Sequence, residues 1–282
     1  MTVIESDYNG FCKGVSFALS LLDKALETGT PVFLTGEIIH NTPVSKHYEN
    51  LGVRIKDSKN VNGTVVVAAH GETDKNLEEL TASACKVLNG TCPVVENRKS
   101  LIKQHFQEGK LVVLFVKSLS HAEVKTLIND NKDLNVISTC EELFDFIRKT
   151  SDSSRSLYVH TQTTFKKERT EEFLKALKPF YKDVILSSSV CPDCFLRQKD
   201  AKRIALASEC VIVVGSSHSS NAGELVRVIN STGAKGVLIE TEGGIPQEIY
   251  KYNTVGIISS ASSSYDSFKA IVNRLKNTSS LL

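Results

Sequence analysis

The sequence predicts an α/β protein built from three similar parallel-sheet α/β units arranged as a pseudo-threefold cloverleaf. Three observations carry this expectation. A cysteine close to Gly or Pro opens a helical stretch three times, a short apolar run follows each helix, and polar residues follow each run at matching distances.

The three openings are Gly10-Phe11-Cys12-Lys13-Gly14-Val15, Thr91-Cys92-Pro93-Val94-Val95 and Val190-Cys191-Pro192-Asp193-Cys194. After Cys12, the side chains of Val15, Leu19, Leu22 and Leu26 recur at helical spacing and Gly29 stops the helix. After Cys92, Leu101, Ile102, His105 and Phe106 follow with Gly109 as terminator; after Cys191, Ala201, Ile204 and Ala205 lead into Ala207. The runs Pro31 to Leu34, Leu111 to Val116 and Val211 to Val214 are too continuously apolar for half-exposed antiparallel strands. They read as parallel strands buried on both faces.

His40 lies 28 residues after Cys12, His121 lies 29 after Cys92, and Ser219 and Ser220 lie 28 and 29 after Cys191. A second set ends later strands: His70 after Val65 to Val67, Thr163 after Leu157 to Val159, and Ser262 after Val255 to Ile258. Thr163 and Ser262 each stand 71 residues beyond their cysteine, His70 only 58 beyond its own. Ligands of parallel sheets gather at the carboxyl ends of strands, so three such ends predict one shared central site. The units are expected at 1–92, 93–187 and 188–282, with Ser151 to Ser156 a loop inside the second.

The 282 residues, 41% of them apolar, suffice for a large core. Lys and Arg number 34 against 32 Asp and Glu, and no basic block stands out. A nucleic-acid partner is therefore not expected, whereas an anionic small molecule is compatible. The opening MTVIESDYNG lacks a signal-peptide pattern and no run of about 20 apolar residues follows, so no membrane association and a cytoplasmic location are expected. Seven cysteines, an odd number without secretory context, point to thiols rather than to a disulfide framework.

Cys210 sits directly before an apolar strand and Cys85 and Cys140 follow no repeated pattern, so the three read as ordinary structural thiols. Cys12, Cys92 and Cys191 sit at helix starts, where amides stabilise a thiolate or donate to cluster sulfides. Three thiolates from distant segments suit a central [4Fe-4S] cluster, one per chain, whose fourth iron lacks a protein ligand and can act as a Lewis acid. The Cys191-x-x-Cys194 spacing also allows a zinc pair or a redox dithiol, without a second close pair to complete a four-cysteine site.

His40, His70 and His121 can each offer an imidazole donor to phosphate oxygens. Ser219, Ser220, Asn221 and Ser262 add short neutral donors; Ser219 to Asn221 also read as a helix cap, which is itself a phosphate site. Glu123 is the acidic residue nearest His121. Beside an anionic substrate its pKa is expected to rise, making it a proton donor that Thr163 could orient through its hydroxyl.

In order along the chain stand Gly10-Phe11-Cys12-x-Gly14-Val15, His40-Asn41, Ala69-His70-Gly71, Thr91-Cys92-Pro93, His121-x-Glu123-Val124, Thr161-Gln162-Thr163-Thr164, Cys191 with Arg197-Gln198, Ser219-Ser220-Asn221 and Ala261-Ser262. Over nearly its full length the chain thereby resembles the 4-hydroxy-3-methylbut-2-enyl diphosphate reductases, or LytB proteins, of the non-mevalonate isoprenoid pathway. The resemblance implies a cloverleaf fold around a cluster held by Cys12, Cys92 and Cys191. It implies a substrate diphosphate surrounded by His40, His70, His121, Ser219, Ser220, Asn221 and Ser262, with Thr163 also contacting substrate and Glu123, Thr163 and His121 as catalytic residues. It implies reductive removal of the allylic hydroxyl to give isopentenyl and dimethylallyl diphosphates, with electrons from a ferredoxin or flavodoxin.

The chain departs from the family pattern at Cys194, where Thr is usual, at Ala122 for Pro, at His218 for Asn, at Ser259-Ser260 for Ala-Gly, and at Ser264 for Pro. These changes leave open a diverged paralogue acting on another small phosphate or carboxylate, or a weakened enzyme. The same residues also leave open a dehydratase like quinolinate synthase, needing no net electrons, and a zinc-binding or redox-sensing protein.

Overall fold

A computed structural model describes residues 1–56, 62–83, 86–151 and 154–279; Cys85 and residues 152 and 153 of the predicted loop lie outside them. The chain begins with β1 (Thr2–Glu5), α1 (Lys13–Leu26), β2 (Val32–Leu34), α2 (Thr42–Asn50), β3 (Arg54–Ile55), β4 (Thr64–Val67), α3 (Asp74–Ala82) and β5 (Lys86–Asn89). It continues with α4 (Pro93–Gln107), β6 (Leu111–Phe115), α5 (Ala122–Asp130), β7 (Asn135–Ile137), α6 (Cys140–Thr150), β8 (Leu157–Thr161), α7 (Lys167–Leu177) and β9 (Val184–Ser188). Then come α8 (Pro192–Leu206), β10 (Cys210–Val214), α9 (Ser220–Asn230), β11 (Lys235–Ile239), β12 (Thr254–Ser259) and α10 (Tyr265–Ser279).

The helices predicted after the three cysteines are α1, α4 and α8, and the predicted apolar runs are β2, β6 and β10. Gly109 follows the last helical carbonyls of α4 at φ 64°, donating to Phe106 O at 3.0 Å, as expected of a helix-terminating glycine. Among the described residues the strands form three four-stranded sheets, parallel throughout, ordered β1-β12-β10-β11, β3-β2-β4-β5 and β7-β6-β8-β9.

Two compact units hold these sheets. One comprises Met1–Ser16, Glu37–Val53 and Pro192–Leu282, and the other Phe17–Gly36 and Arg54–Cys191. In the first, alternate residues of β10 face opposite ways, as the strand period of two requires. Cys210, Ile212 and Val214 pack with Phe268, Ile271 and Leu275 of α10, while Val211 and Val213 pack with Ile204 of α8 and Leu225 of α9. Cys210 is thus a core thiol, and burial pushes its pKa up to about 11. Cys140, read alongside it as structural, is instead exposed at the start of α6.

In the second unit, Val112, Leu114 and Val116 meet Ile102 of α4 and Val124 and Leu127 of α5. On the other face Phe115 meets Phe173 edge to face, their ring centroids 5.0 Å apart. The pairing of β8 with β9 slips between Val159 and His160, so that His160 registers with Ser188 rather than Ser187.

Parallel pairing puts every strand's carboxyl end on one edge of its sheet, where the helix that follows begins. At Gly90, between β5 and Cys92, the chain runs so close to β4 that a Cβ there would lie 2.3 Å from Val67 O and 3.4 Å from Ala18. Among the described residues no helix is long and apolar enough to cross a membrane. Gly90→Ala is expected to destabilise the protein by about 1–3 kcal/mol through overpacking, measured by thermal melting.

Candidate functional site

In the first unit, Cys12 stands immediately before α1. Its sulfur accepts from Val15 N at 3.4 Å and its own amide donates to Ala261 O at 3.0 Å. The loop carrying it is clamped by Arg197, 2% exposed, which donates to Tyr8 O (3.1 Å), Ser259 O (2.9 Å) and Gly10 O (2.9 Å) while pairing with Asp193 at 2.8 Å. Gly10 has φ 77° and its amide donates to Ser259 Oγ at 3.0 Å. The left-handed turn needs Gly, and Ser259, a departure from the family pattern, gives that turn a hydrogen-bond acceptor.

The polar residues of this unit converge on the N-terminus of α9. Ser219 caps the helix, its Oγ accepting from Ala222 N at 3.2 Å, and Ser262 Oγ lies 3.5 Å from Ser219 Oγ and 3.3 Å from His40 O. Asn221 Oδ1 accepts from Ala261 N at 2.9 Å, which fixes the amide so that Nδ2 faces the other way. That Nδ2 is buried and has no hydrogen-bond partner among the described residues. Buried donors are almost always paired, so this one has the character of a ligand contact. Ser220 is the half-buried first residue of α9.

His40 Nδ1 lies 2.7 Å from Glu37 Oε2, and Asn41 joins the start of α2 to the loop after β12, donating to Ser262 O at 2.8 Å and accepting from Val44 N at 3.0 Å. With Nδ1 donating to the carboxylate, Nε2 can donate to a ligand only when the ring carries both protons. Ser260 is absorbed locally, its hydroxyl 2.9 Å from Ser263 Oγ. Ser264 accepts from Ser267 N at 3.1 Å ahead of α10, and His218 is exposed.

The second unit brings the other predicted residues together. Cys92 is the residue before α4, its amide donating to Ala69 O at 3.1 Å. Burial pushes its thiol up, the charges of Cys191 and Glu123 push the same way, and the amides of Val94 and Val95 pull it down. Cys191 N donates to Thr163 O at 2.8 Å. Thr163 Oγ1 in turn donates to Glu123 Oε2 at 2.6 Å. His121 precedes α5, and its ring meets that of His70 edge to face at 5.7 Å.

Glu123 is 1% exposed. The structure adds Arg98, also 1% exposed, donating to Glu123 Oε1 at 2.6 Å. A signal existed: Arg98 and Lys99 fall in helical phase with the buried Val95 and Ile102, where an unpaired charge has no place. Behind this pair His160 Nδ1 lies 2.8 Å from Ser188 Oγ and His160 Nε2 lies 3.1 Å from His105 Nδ1.

Desolvation, helped by the charges of His105 and Arg98, pushes His160 down to about 3. Between about pH 3 and its ordinary value near 6.5 the unfolded chain binds this proton and the folded one does not, so stability rises with pH in that window. Full stability is expected above about pH 6.5, with a loss on the order of 1 kcal/mol per pH unit as the pH falls through the window. His160→Gln should flatten that slope in urea melts at a series of pH values.

The LytB protein family model matches residues 3–276. A 4-hydroxy-3-methylbut-2-enyl diphosphate reductase of Thermotoga sp. (strain RQ2) is 28% identical, the match covering 98% of this chain and 96% of that one. A relative of the same name from Fusobacterium nucleatum is 27% identical over 98% of this chain, which spans only 34% of that longer protein. Among solved structures, the E-1-hydroxy-2-methyl-but-2-enyl-4-diphosphate reductase of Plasmodium falciparum matches with a TM-score of 0.90 at 27% identity, covering 98% of this chain and 88% of that one. A further solved structure, described as (E)-4-hydroxy-3-methyl-but-2-enyl diphosphate reductase, the terminal enzyme of the non-mevalonate pathway, matches with a TM-score of 0.72 at 26% identity and covers 98% of this chain and 100% of that one.

Proposed function

The chain belongs to the LytB protein family, and on that premise we propose that it is a [4Fe-4S]-dependent 4-hydroxy-3-methylbut-2-enyl diphosphate reductase. It removes the allylic hydroxyl with two electrons and two protons, releasing water and giving isopentenyl and dimethylallyl diphosphates. A ferredoxin or flavodoxin is the proposed electron donor. The observation that carries the reading is the α9 N-terminus, where capping hydroxyls and the orphaned Asn221 Nδ2 offer donors for an anion.

The cysteines fit a cluster. Each immediately precedes a helix; amides point at the sulfurs of Cys12 and Cys92, and the raised Cys92 thiol is a group that a metal cation would ionise. Cys12, Cys92 and Cys191 would hold one cluster per chain, which when bound supplies electrons and a Lewis-acidic iron.

The remaining work falls to the chain's own residues. Ser219, Ser220, Asn221, Ser262 and His40 are assigned to the diphosphate, together with His70 and His121. The serine hydroxyls, the Asn221 amide and a helix terminus are neutral donors that suit an anion that must be held in orientation and later released. Glu123 and Thr163 are assigned to the proton: Thr163 Oγ1 lies 2.6 Å from Oε2, and with the carboxyl protonated that bond runs the other way, Oε2–H donating to Oγ1 while the hydroxyl passes its own proton to substrate. The departures Ser259, Ser260 and Ser264 are absorbed by hydrogen bonds within the first unit, which favours a working enzyme over an eroded one.

The decisive experiment is an anaerobic assay of chemically reduced protein with 4-hydroxy-3-methylbut-2-enyl diphosphate. Brown protein with about four irons per chain and formation of both alkenyl diphosphates are expected; zinc in place of iron, or turnover without reductant, would overturn the reading. Glu123→Gln should lower kcat by about 10²-fold or more with iron content unchanged. Asn221→Ala should raise KM by roughly tenfold, the worth of a hydrogen bond to a charged ligand, with a smaller effect on kcat.

A further inference from the structure

We propose that Arg98 is the positioning residue of the proton-handling carboxyl, holding Glu123 by one oxygen so that the other is presented to Thr163. This rests on the assignment of Glu123 above and extends it to a residue outside the predicted site.

The geometry is directional. Arg98 Nη1 donates to Glu123 Oε1 at 2.6 Å and Thr163 Oγ1 to Oε2 at 2.6 Å, so each oxygen has its own short partner, while Thr163 N makes longer bonds to both, at 3.4 and 3.3 Å. Arg98 is itself fixed by two further bonds, from Nη2 to Ser189 O at 2.6 Å and from Nε to Ser188 Oγ at 3.1 Å. A guanidinium fork bound in three directions cannot swing, and the carboxylate it holds inherits that rigidity. The slip in the β8–β9 pairing contributes directly, because it brings Ser188 level with His160, whose Nδ1 then lies 2.8 Å from Ser188 Oγ.

The same groups exclude a rival role as a proton wire. Arginine is a donor only and does not give up its proton in a protein, so nothing can pass from His160 and Ser188 through Arg98 to Glu123. His160, held neutral by burial, is an anchor for Ser188. Protons therefore reach and leave Glu123 on the Thr163 side, and Arg98 closes the rear.

Arg98→Met and Arg98→Lys, each alone and combined with Glu123→Gln, form the test. Turnover is normalised to assembled cluster, and melting is measured without substrate. Arg98→Met is expected to lower kcat by about 10²-fold, the scale of a misplaced catalytic group, while KM moves by less than about threefold; Arg98→Lys, keeping the charge but not the fork, should recover part of the loss. In the Glu123→Gln background Arg98→Met should cost little further kcat, and its melting penalty should fall to less than half. A kcat loss just as large in that background, or one carried by KM, overturns the proposal. Equal melting losses in both backgrounds reject the pairing itself. Melting coupling together with no turnover by the unmodified protein rejects the reductase reading and the catalytic consequence with it.

Discussion

Parallel strand pairing is the constraint from which the rest follows. A parallel strand cannot return by a hairpin, so each is followed by a helix, and the strand's end and the helix's unsatisfied amides meet on the same edge. Cys92 lies where β5 gives way to α4, Cys191 where β9 gives way to α8, and Ser219 to Asn221 where β10 gives way to α9. Thiolates and phosphates are both anions, and both are served by the same free N–H groups. One backbone arrangement thus prepares candidate positions for metal ligands and for substrate before any side chain is chosen.

Side chains then refine these positions by filling what the backbone leaves unpaired. Arg197 binds three carbonyls of the Tyr8 to Gly10 and Ser259 region, and Asn41 ties the α2 N-terminus to the loop bearing Ser262. Ala261 is the hinge of the arrangement, its carbonyl accepting from Cys12 N and its amide donating to Asn221 Oδ1. A short polypeptide stretch therefore fixes a metal-ligand candidate and an anion-binding candidate together, so that a disturbance of one is felt by the other.

The parts of the fold that can be read from sequence are those buried on both faces. Val65 to Val67, Leu111 to Phe115 and Val211 to Val214 announce themselves as uninterrupted apolar runs because no face of them meets water. The edge strands β3 and β9 leave no such mark for the opposite reason: Arg54 and Ile55 are exposed, as are Ile185 and Leu186, and two or five residues of mixed polarity carry no period. His40, His121, Ser219, Ser220, Thr163 and Ser262 are legible because they follow strands at repeated spacing, while His70, Glu123 and Asn221 are legible from the ordered motifs. Arg98 and Glu37 are not, since a salt bridge to Glu123 depends on how two helices pack, and the choice of His40 as partner depends on a local turn. Charge in phase with a core-facing helix stripe is the one trace Arg98 leaves.

The pairing of β1 has a consequence for how the molecule assembles. β1 pairs along its whole length with β12, Thr2 opposite Thr254 and Glu5 opposite Ile257. During synthesis β1 emerges well before its pairing strand, so the loop that presents Cys12 lacks its bonds to Ser259 and Ala261 until β12 and the loop after it have left the ribosome. Closing so long a loop costs only logarithmically more than a short one, but it delays the contact. Under the proposed function, metal loading through all three cysteines is thereby deferred until β12 is in place, and a nascent fragment that ends before it cannot present the complete ligand set.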